Sequence, residues 1–216
     1  MRVLALDTCL NACQAAVIRD GAPLAVLSET MSRGHQERLA PMVRDVMAQA
    51  GLGFGDLDLI AVTVGPGSFT GLRVGLAFAK GLALALGRPC VGVGTLEALA
   101  AGAAEKTPCV AVIDAGRGRV FIQTFGPGPA RGQPGVMDLE VAHARLLDAV
   151  GLEAFTLIGP GAPLIADRWP ACKVDGRSFA EPVAIARLAA AARQVRATPL
   201  YLRAPDAIPK RLSAAG

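Results

Sequence analysis

Residues 59–86 constrain the fold of this chain more than any other stretch. A short, β-rich apolar run at 59–64 stops at the Gly-Pro-Gly turn 65–67, because proline lacks the N–H of a sheet ladder and glycine tolerates positive φ. A second apolar run continues to residue 86 and ends at Gly87, a C′ glycine that precedes a proline. The stretch therefore predicts a buried strand, a tight turn and a long helix.

The predicted helix is apolar nearly all round. Arg73 and Lys80 are its only charged residues, and Thr70 or Ser68 is its expected N-cap. Such a helix is buried on more than one side, and a membrane span is disfavoured because the run is shorter than about 20 residues. Small residues recur at every fourth position and would let another backbone approach closely: Gly71, Gly75, Ala79, Ala83 and Gly87. Tight packing of the helix on its own sheet is favoured slightly over a subunit interface as the reason for them.

The turn before this helix raises the question of phosphate binding, since free N–H groups at a helix N-terminus attract anions. The sequence GPGSFTGLR at 65–73 matches neither G-x-x-x-x-G-K-[ST] nor G-x-G-x-x-G. A structural turn is therefore favoured over an anion site.

Composition indicates a folded, reduced protein. The chain has 216 residues, of which 52% are hydrophobic, so it can bury a proper core. Its five cysteines are odd in number and scattered, which is typical of reduced core cysteine. The sequence begins with MRVLALDT, which has no apolar core of the length found in a secretory signal peptide. We therefore expect a cytoplasmic protein with no membrane partner.

Charge and histidine content narrow the binding classes. The net charge of +4 is dispersed and aromatic residues make up only 4%, so a solvated surface is favoured over a nucleic-acid surface. His35 and His143 are the only histidines, and neither belongs to H-x-x-x-H or H-E-x-x-H. We expect no metal site.

The flanking segments predict an α/β layer architecture. Apolar residues spaced i, i+3, i+4 and i+7 predict a one-sided helix over 35–50, which Pro41 should kink or restart. Asp20-Gly21 is a strong hairpin signal. The other elements expected in the first half are strands at 3–6, 13–18, 23–29 and 91–93 and a helix at 95–104.

The second half begins as the first does. Residues 110–114 (VAVID) echo residues 3–7 (VLALD) at an offset of 107, which predicts an internal duplication with lobes 1–106 and 107–216. The second copy is degraded, with an expected loop at 126–135, helix at 139–150, strand at 155–158 and helix at 183–195.

Both echoing strands end in aspartate, Asp7 and Asp114. This plan resembles the actin-like ATPase fold (ASKHA, RNase H-like), in which two such aspartates hold the metal–phosphate group of a nucleotide across a cleft. A carboxylate at a strand end is also commonly a turn or capping residue, and no glycine-rich phosphate loop accompanies these two. The turn role is favoured, and no cofactor or catalytic residue is predicted.

A set of motifs resembles the TsaB (YeaZ-like) family. They are ALDT near the start, HQERLAPMV at 35–43, DLDLIAVTVGPGSFTGLRVGLAFAKGLA at 56–83, GVGTLEALA at 92–100, AVIDAGRGRVF at 111–121 and a closing YLR. The resemblance implies a non-catalytic subunit in bacterial synthesis of N6-threonylcarbamoyladenosine (t6A) at position 37 of tRNA. It also implies pairing with the catalytic paralogue TsaD, with TsaE joining the pair and tRNA bound by the assembly.

The catalytic paralogue TsaD differs at one segment. TsaD carries a metal-binding H-L-E-G-H, and the corresponding residues here are Thr95-Leu96-Glu97-Ala98-Leu99. Loss of both histidines leaves too few ligands for a metal. The alternatives are a stand-alone actin-like ATPase or kinase and an M22-type metallopeptidase, which the missing ligands disfavour.

The resemblance further implies that helices 35–50 and 70–86 meet the partner as a four-helix bundle. Exposed apolar surface on these helices could also pair with itself, giving a homodimer. The candidate partner-binding residues are Leu39, Met42, Val46, Phe69, Leu72, Arg73, Leu76 and Lys80.

Overall fold

The computed structural model describes residues 1–101, 103, 107–126, 132–150, 155–169, 172–192 and 196–203. The first half contains β1 (Arg2–Asp7), β2 (Ala12–Arg19), β3 (Ala22–Thr30), α1 (His35–Gln49), β4 (Leu59–Thr63), α2 (Phe69–Leu86), β5 (Cys90–Val93) and α3 (Thr95–Ala101). The second half contains β6 (Cys109–Gly116), β7 (Arg119–Phe125), β8 (Gly135–Asp138), α4 (Leu139–Val150), β9 (Thr156–Ile158), α5 (Pro163–Ala166), β10 (Lys173–Asp175) and α6 (Pro182–Ala191).

The described residues form two five-stranded sheets with the same strand order. The first sheet runs β3-β2-β1-β4-β5 and the second runs β8-β7-β6-β9-β10. In each, the first three strands pair antiparallel and the later two pair parallel. The echoing segments are the central strands β1 and β6, so the predicted duplication and mixed sheets are confirmed. The division at residue 106 stays a prediction.

Strand alternation distributes the core over three layers, because successive side chains point to opposite faces of a sheet. In β1, Leu4 and Leu6 face the layer of α1 and α2, whereas Val3 and Ala5 face the space between the two sheets. Helices α3 and α6 fill that middle space, α3 against β6 and β7 and α6 against the first sheet. A third cluster, which includes Leu146 of α4 and Ile165 of α5, covers the outer face of the second sheet.

The helices and strands predicted for the first half are present in the structure. Helix α1 runs from His35 to Gln49 with Pro41 inside it, so the expected restart at Pro41 is wrong, whereas the expected kink stays a prediction. In the second half, β8, α5 and β10 were not predicted. All three are short elements with weak sequence patterns, and the two strands depend on pairing with β7 and β9. The helix expected to reach residue 195 ends at Ala191, and residues 193–195 lie outside the described part of the chain.

Candidate functional site

The turn between β4 and α2 packs against the β1–β2 turn. The N–H of Ser68 donates to the carbonyl oxygen of Cys9 at 2.7 Å, and a Cβ at Gly67 would lie 2.2 Å from that same oxygen. The Ser68 hydroxyl accepts a hydrogen bond from the N–H of Gly71 at 3.2 Å, which makes Ser68 the N-cap of α2. These contacts fix the turn on the β1–β2 turn, which is the structural role favoured from the sequence.

The glycines of α2 explain how closely the helix sits on the sheet. A Cβ at Gly71 would lie 1.9 Å from the Thr8 carbonyl oxygen, and one at Gly75 would lie 2.4 Å from the Thr8 hydroxyl oxygen. The Thr8 hydroxyl also donates to the carbonyl oxygen of Gly71 at 2.7 Å. At these two positions the small residues serve packing within the fold, as predicted.

Asp7 ends β1 in a buried position and is only 1% exposed. Its Oδ1 accepts hydrogen bonds from the Thr63 hydroxyl at 2.6 Å and from the N–H of Cys9 at 2.9 Å. Burial raises the pKa of Asp7, and the two hydrogen bonds and the nearby His35 oppose this only in part. This carboxylate holds the β1 end to β4 and to the following turn.

Asp114 lies two residues before the end of the equivalent strand β6, in an exposed position. Its Oδ1 accepts a hydrogen bond from the N–H of Gly116 at 2.7 Å, the pattern of a turn residue. The two candidate aspartates therefore differ in their surroundings. Because Asp7 is sealed below the surface, the pair does not present two carboxylates to a metal–nucleotide group, and the residues present do not fit that ligand.

A cleft of about 610 Å³ lies between the two lobes. The β1–β2 turn and the start of α2 line one wall, and the end of β6, including Asp114, lines the other. Residues 200–203 also line it, and they bring Tyr201 next to Phe69. The cleft therefore contains a segment that is distant in sequence from both walls.

The segment that corresponds to the TsaD metal motif lies in α3. Thr95, Leu96, Ala98 and Leu99 are buried in the core, and only Glu97 is exposed. Among the described residues, no group of three or more His, Cys, Asp or Glu side chains is arranged to hold a metal ion. Four of the five side chains at 95–99 are therefore packed in the core.

Helix α2 has a large free face. By length and composition alone it could cross a membrane, yet it lies on the first sheet with about a third of its length buried. Leu84 is 85% exposed, and a Cβ at Gly81 would meet no atom within 4 Å. Arg73 and Lys80 lie on the same side of the helix as Leu84, because Lys80 is four residues and Arg73 eleven residues before Leu84, and all three are exposed. The free face is therefore apolar, basic and without an acidic residue.

The candidate partner-binding residues differ in their burial. The apolar residues of α1 and of one side of α2 form the core between these helices and the first sheet. Five of the candidates are buried there: Leu39, Met42, Val46, Leu72 and Leu76. These five side chains are buried in this fold, and their role in partner binding stays a prediction. The remaining three, Phe69, Arg73 and Lys80, are exposed, and their role in binding stays a prediction.

Comparisons with known proteins agree with the motifs. A family model described as TsaD, tRNA N6-adenosine threonylcarbamoyltransferase, matches residues 25–134. The chain is 37% identical over 159 residues to the tRNA threonylcarbamoyladenosine biosynthesis protein TsaB of Escherichia coli, covering 70% of this chain and 68% of that protein. The chain belongs to the TsaB family.

Structural similarity covers nearly the whole TsaB-family chain. YeaZ from Pseudomonas aeruginosa superposes with a TM-score of 0.79 at 30% identity, covering 93% of this chain and 99% of that one. The ROK hexokinase from Thermus thermophilus superposes with a TM-score of 0.52 at 14% identity, which shows the fold alone. The fold is the duplicated actin-like (ASKHA) fold, as the sequence predicted.

Sequence reasoning missed three residues of the free surface in this TsaB-family chain. Leu84 lies opposite Gly71 and Gly75, and Gly81 lies on the exposed flank beside Leu84, so the two buried glycines were a signal for which face of α2 is outward. Tyr201 had no such signal, because only the folded chain brings it against α2.

Proposed function

We propose that this TsaB-family chain is a non-catalytic, activating subunit in the t6A modification of tRNA. It pairs with a TsaD-family protein, TsaE joins the pair, and the assembly binds tRNA in the cytoplasm. The similarity to an Escherichia coli protein named for threonylcarbamoyladenosine biosynthesis supports the pathway. The pairing surface is the free face of α2 together with the adjoining side of α1.

The observation that carries the pairing is the exposed centre of α2. Glycine inside a helix costs about 1 kcal/mol relative to alanine, and nothing in the described fold requires Gly81 to be small. Close approach of a second helix accounts for it. Leu84, at 85% exposure, then gains burial on binding, and an apolar patch of this kind is typical of an interaction site.

Catalytic silence has its own support. Asp7 is sealed in the core and serves as a hydrogen-bond acceptor for Thr63 and Cys9. The residues at 95–99 offer one carboxylate and no histidine. The chain's contribution is then to hold and orient the catalytic subunit.

The pairing is tested with Leu84→Glu. The purified variant is mixed with the TsaD-family protein of the same organism and followed by size-exclusion chromatography and by a t6A assay in which each subunit is omitted in turn. Leu84→Glu should fold normally, because the side chain is exposed, yet lose co-elution and t6A formation. Leu164→Glu, at a 46% exposed position in α5, is the matched control and should behave as the wild type. Full pairing by Leu84→Glu contradicts the proposed surface.

The stand-alone ATPase or kinase and the metallopeptidase remain the alternative functions. Magnesium-dependent ATP turnover by the purified chain, or a stoichiometric bound metal, would favour them over the scaffold. A homodimer through the same α2 face is compatible with the proposal, because a second copy of the chain and the TsaD-family protein would then compete for one surface. Leu84→Glu should disrupt that homodimer as well.

A further inference from the structure

Residues 196–203 form a strap that is fixed to the first lobe. Arg196 pairs with β5 in an antiparallel bridge, and the N–H of Leu200 donates to the carbonyl just after β4 at 2.8 Å. A Cβ at Gly92 would lie 2.9 Å from the Ala197 Cα, so the strap passes as close to β5 as the backbone allows. These contacts order the strap before any partner binds.

The strap carries Tyr201 to the start of α2, where it meets Phe69 and Arg73. The two ring centroids are 5.5 Å apart, and the Arg73 guanidinium carbon lies 3.8 Å from the centre of the Phe69 ring. The Nε of Arg73 donates to the Tyr201 hydroxyl at 3.3 Å. Phe69 and Tyr201 nevertheless remain 42% and 47% exposed. We call these three residues the aromatic–arginine cluster.

We propose that the aromatic–arginine cluster anchors one end of the partner-binding surface, so that the strap is part of the interface. This inference rests on the proposed function and deepens it. The partner presents apolar groups to the two rings and a carboxylate to Arg73. Tyrosine and arginine dominate the energetics of protein interfaces, and side chains that are already held in place lose little entropy on binding.

Two observations favour an acidic, apolar protein surface as the occupant. The cluster is continuous with the free face of α2, which contains Arg73 and Lys80 but no acid, so a facing copy of α2 offers these cations no carboxylate. The cleft beside the cluster is lined by the acidic Asp114 as well as by Arg203. This mixed charge makes too small a cationic surface to bind a phosphate backbone. A TsaD-family partner with carboxylates opposite α2 therefore fits better than a second copy or RNA.

The test measures the affinity of the full chain for its TsaD-family partner by isothermal titration calorimetry. Tyr201→Ala removes the ring and should weaken binding by at least about tenfold, whereas Tyr201→Phe keeps the ring and should stay within about threefold of the wild type. Arg73→Glu should weaken binding by a larger factor and reduce its salt dependence. Val141→Ala, at a 44% exposed position in α4, is the control and should bind as the wild type.

The outcomes separate the two proposals. Wild-type binding by Tyr201→Ala and Arg73→Glu, with loss of binding by Leu84→Glu, overturns the role of the strap and leaves the proposed function standing. Wild-type binding by all three variants rejects the α2 surface itself. If Tyr201→Ala unfolds at a lower temperature than the wild type, Arg73→Glu decides, because its side chain is exposed. Loss of tRNA binding with unchanged partner affinity would assign the cluster to RNA and refute the inference.

Discussion

Gly71→Ala is the sharpest test of how α2 sits on the first sheet. The added Cβ would lie 1.9 Å from the carbonyl oxygen of Thr8, whereas an ordinary contact is at least 3.4 Å. The carbonyl oxygen is a backbone atom and the position of a Cβ is fixed by the backbone, so no change of side-chain rotamer relieves the clash. The start of α2 must move away from the β1–β2 turn, and the hydrogen bond from the Thr8 hydroxyl to the Gly71 carbonyl is then lost or lengthened.

The magnitude follows from three contributions. Overpacking at a close contact costs about 1–3 kcal/mol, and loss of a buried hydrogen bond costs about 1 kcal/mol or more. The better helix propensity of alanine returns about 1 kcal/mol. We expect Gly71→Ala to lower the free energy of unfolding by about 1–3 kcal/mol.

The matched control is Gly81→Ala in the same helix. A Cβ at Gly81 meets no atom within 4 Å, so this variant should gain about 0.5–1 kcal/mol from propensity alone. Urea unfolding followed by circular dichroism gives both values by linear extrapolation. If Gly71→Ala proves as stable as Gly81→Ala, α2 does not rest on Thr8 and the argument for its buried face is wrong.

Three further predictions concern titration, burial and the paired aspartates. Because burial raises the pKa of Asp7, the folded state keeps its proton to higher pH than the unfolded state, and the unfolding free energy of the wild type relative to Asp7→Asn should fall as pH rises above the ordinary value of 3.8. A rising difference in a urea titration series would contradict this. Burial raises the pKa of Cys9 to about 12, so alkylation of the native protein followed by peptide mapping should modify the half-buried Cys90 before Cys9, and both after unfolding. Asp7→Ala should lower the melting temperature clearly, whereas Asp114→Ala, at an exposed turn, should change the unfolding free energy by no more than about 0.5 kcal/mol; equal effects in calorimetry would show that burial does not distinguish them.

The candidate site was only partly predictable from sequence. Alternation and turn chemistry located α2 and its caps, because those signals depend on residues close together in the chain. The periodic residues Leu39, Met42 and Val46 were correctly placed on one face of α1, but periodicity does not say whether that face meets a sheet or a partner. The assignment of these residues to the interface therefore stays a prediction, and their burial in the first lobe is the observation that speaks against it.

What the sequence by itself determined is the set of local elements, the duplication marked by the strands at residues 3–7 and 110–114, and the family. The tertiary structure alone decided that Asp7 is sealed by Thr63 while Asp114 stays exposed, since the surroundings of a strand end depend on the neighbouring strands and turns. It also decided that Tyr201 meets Arg73 across 128 residues of chain. Contacts of this kind arise from packing between elements, which the pattern of neighbouring residues does not encode.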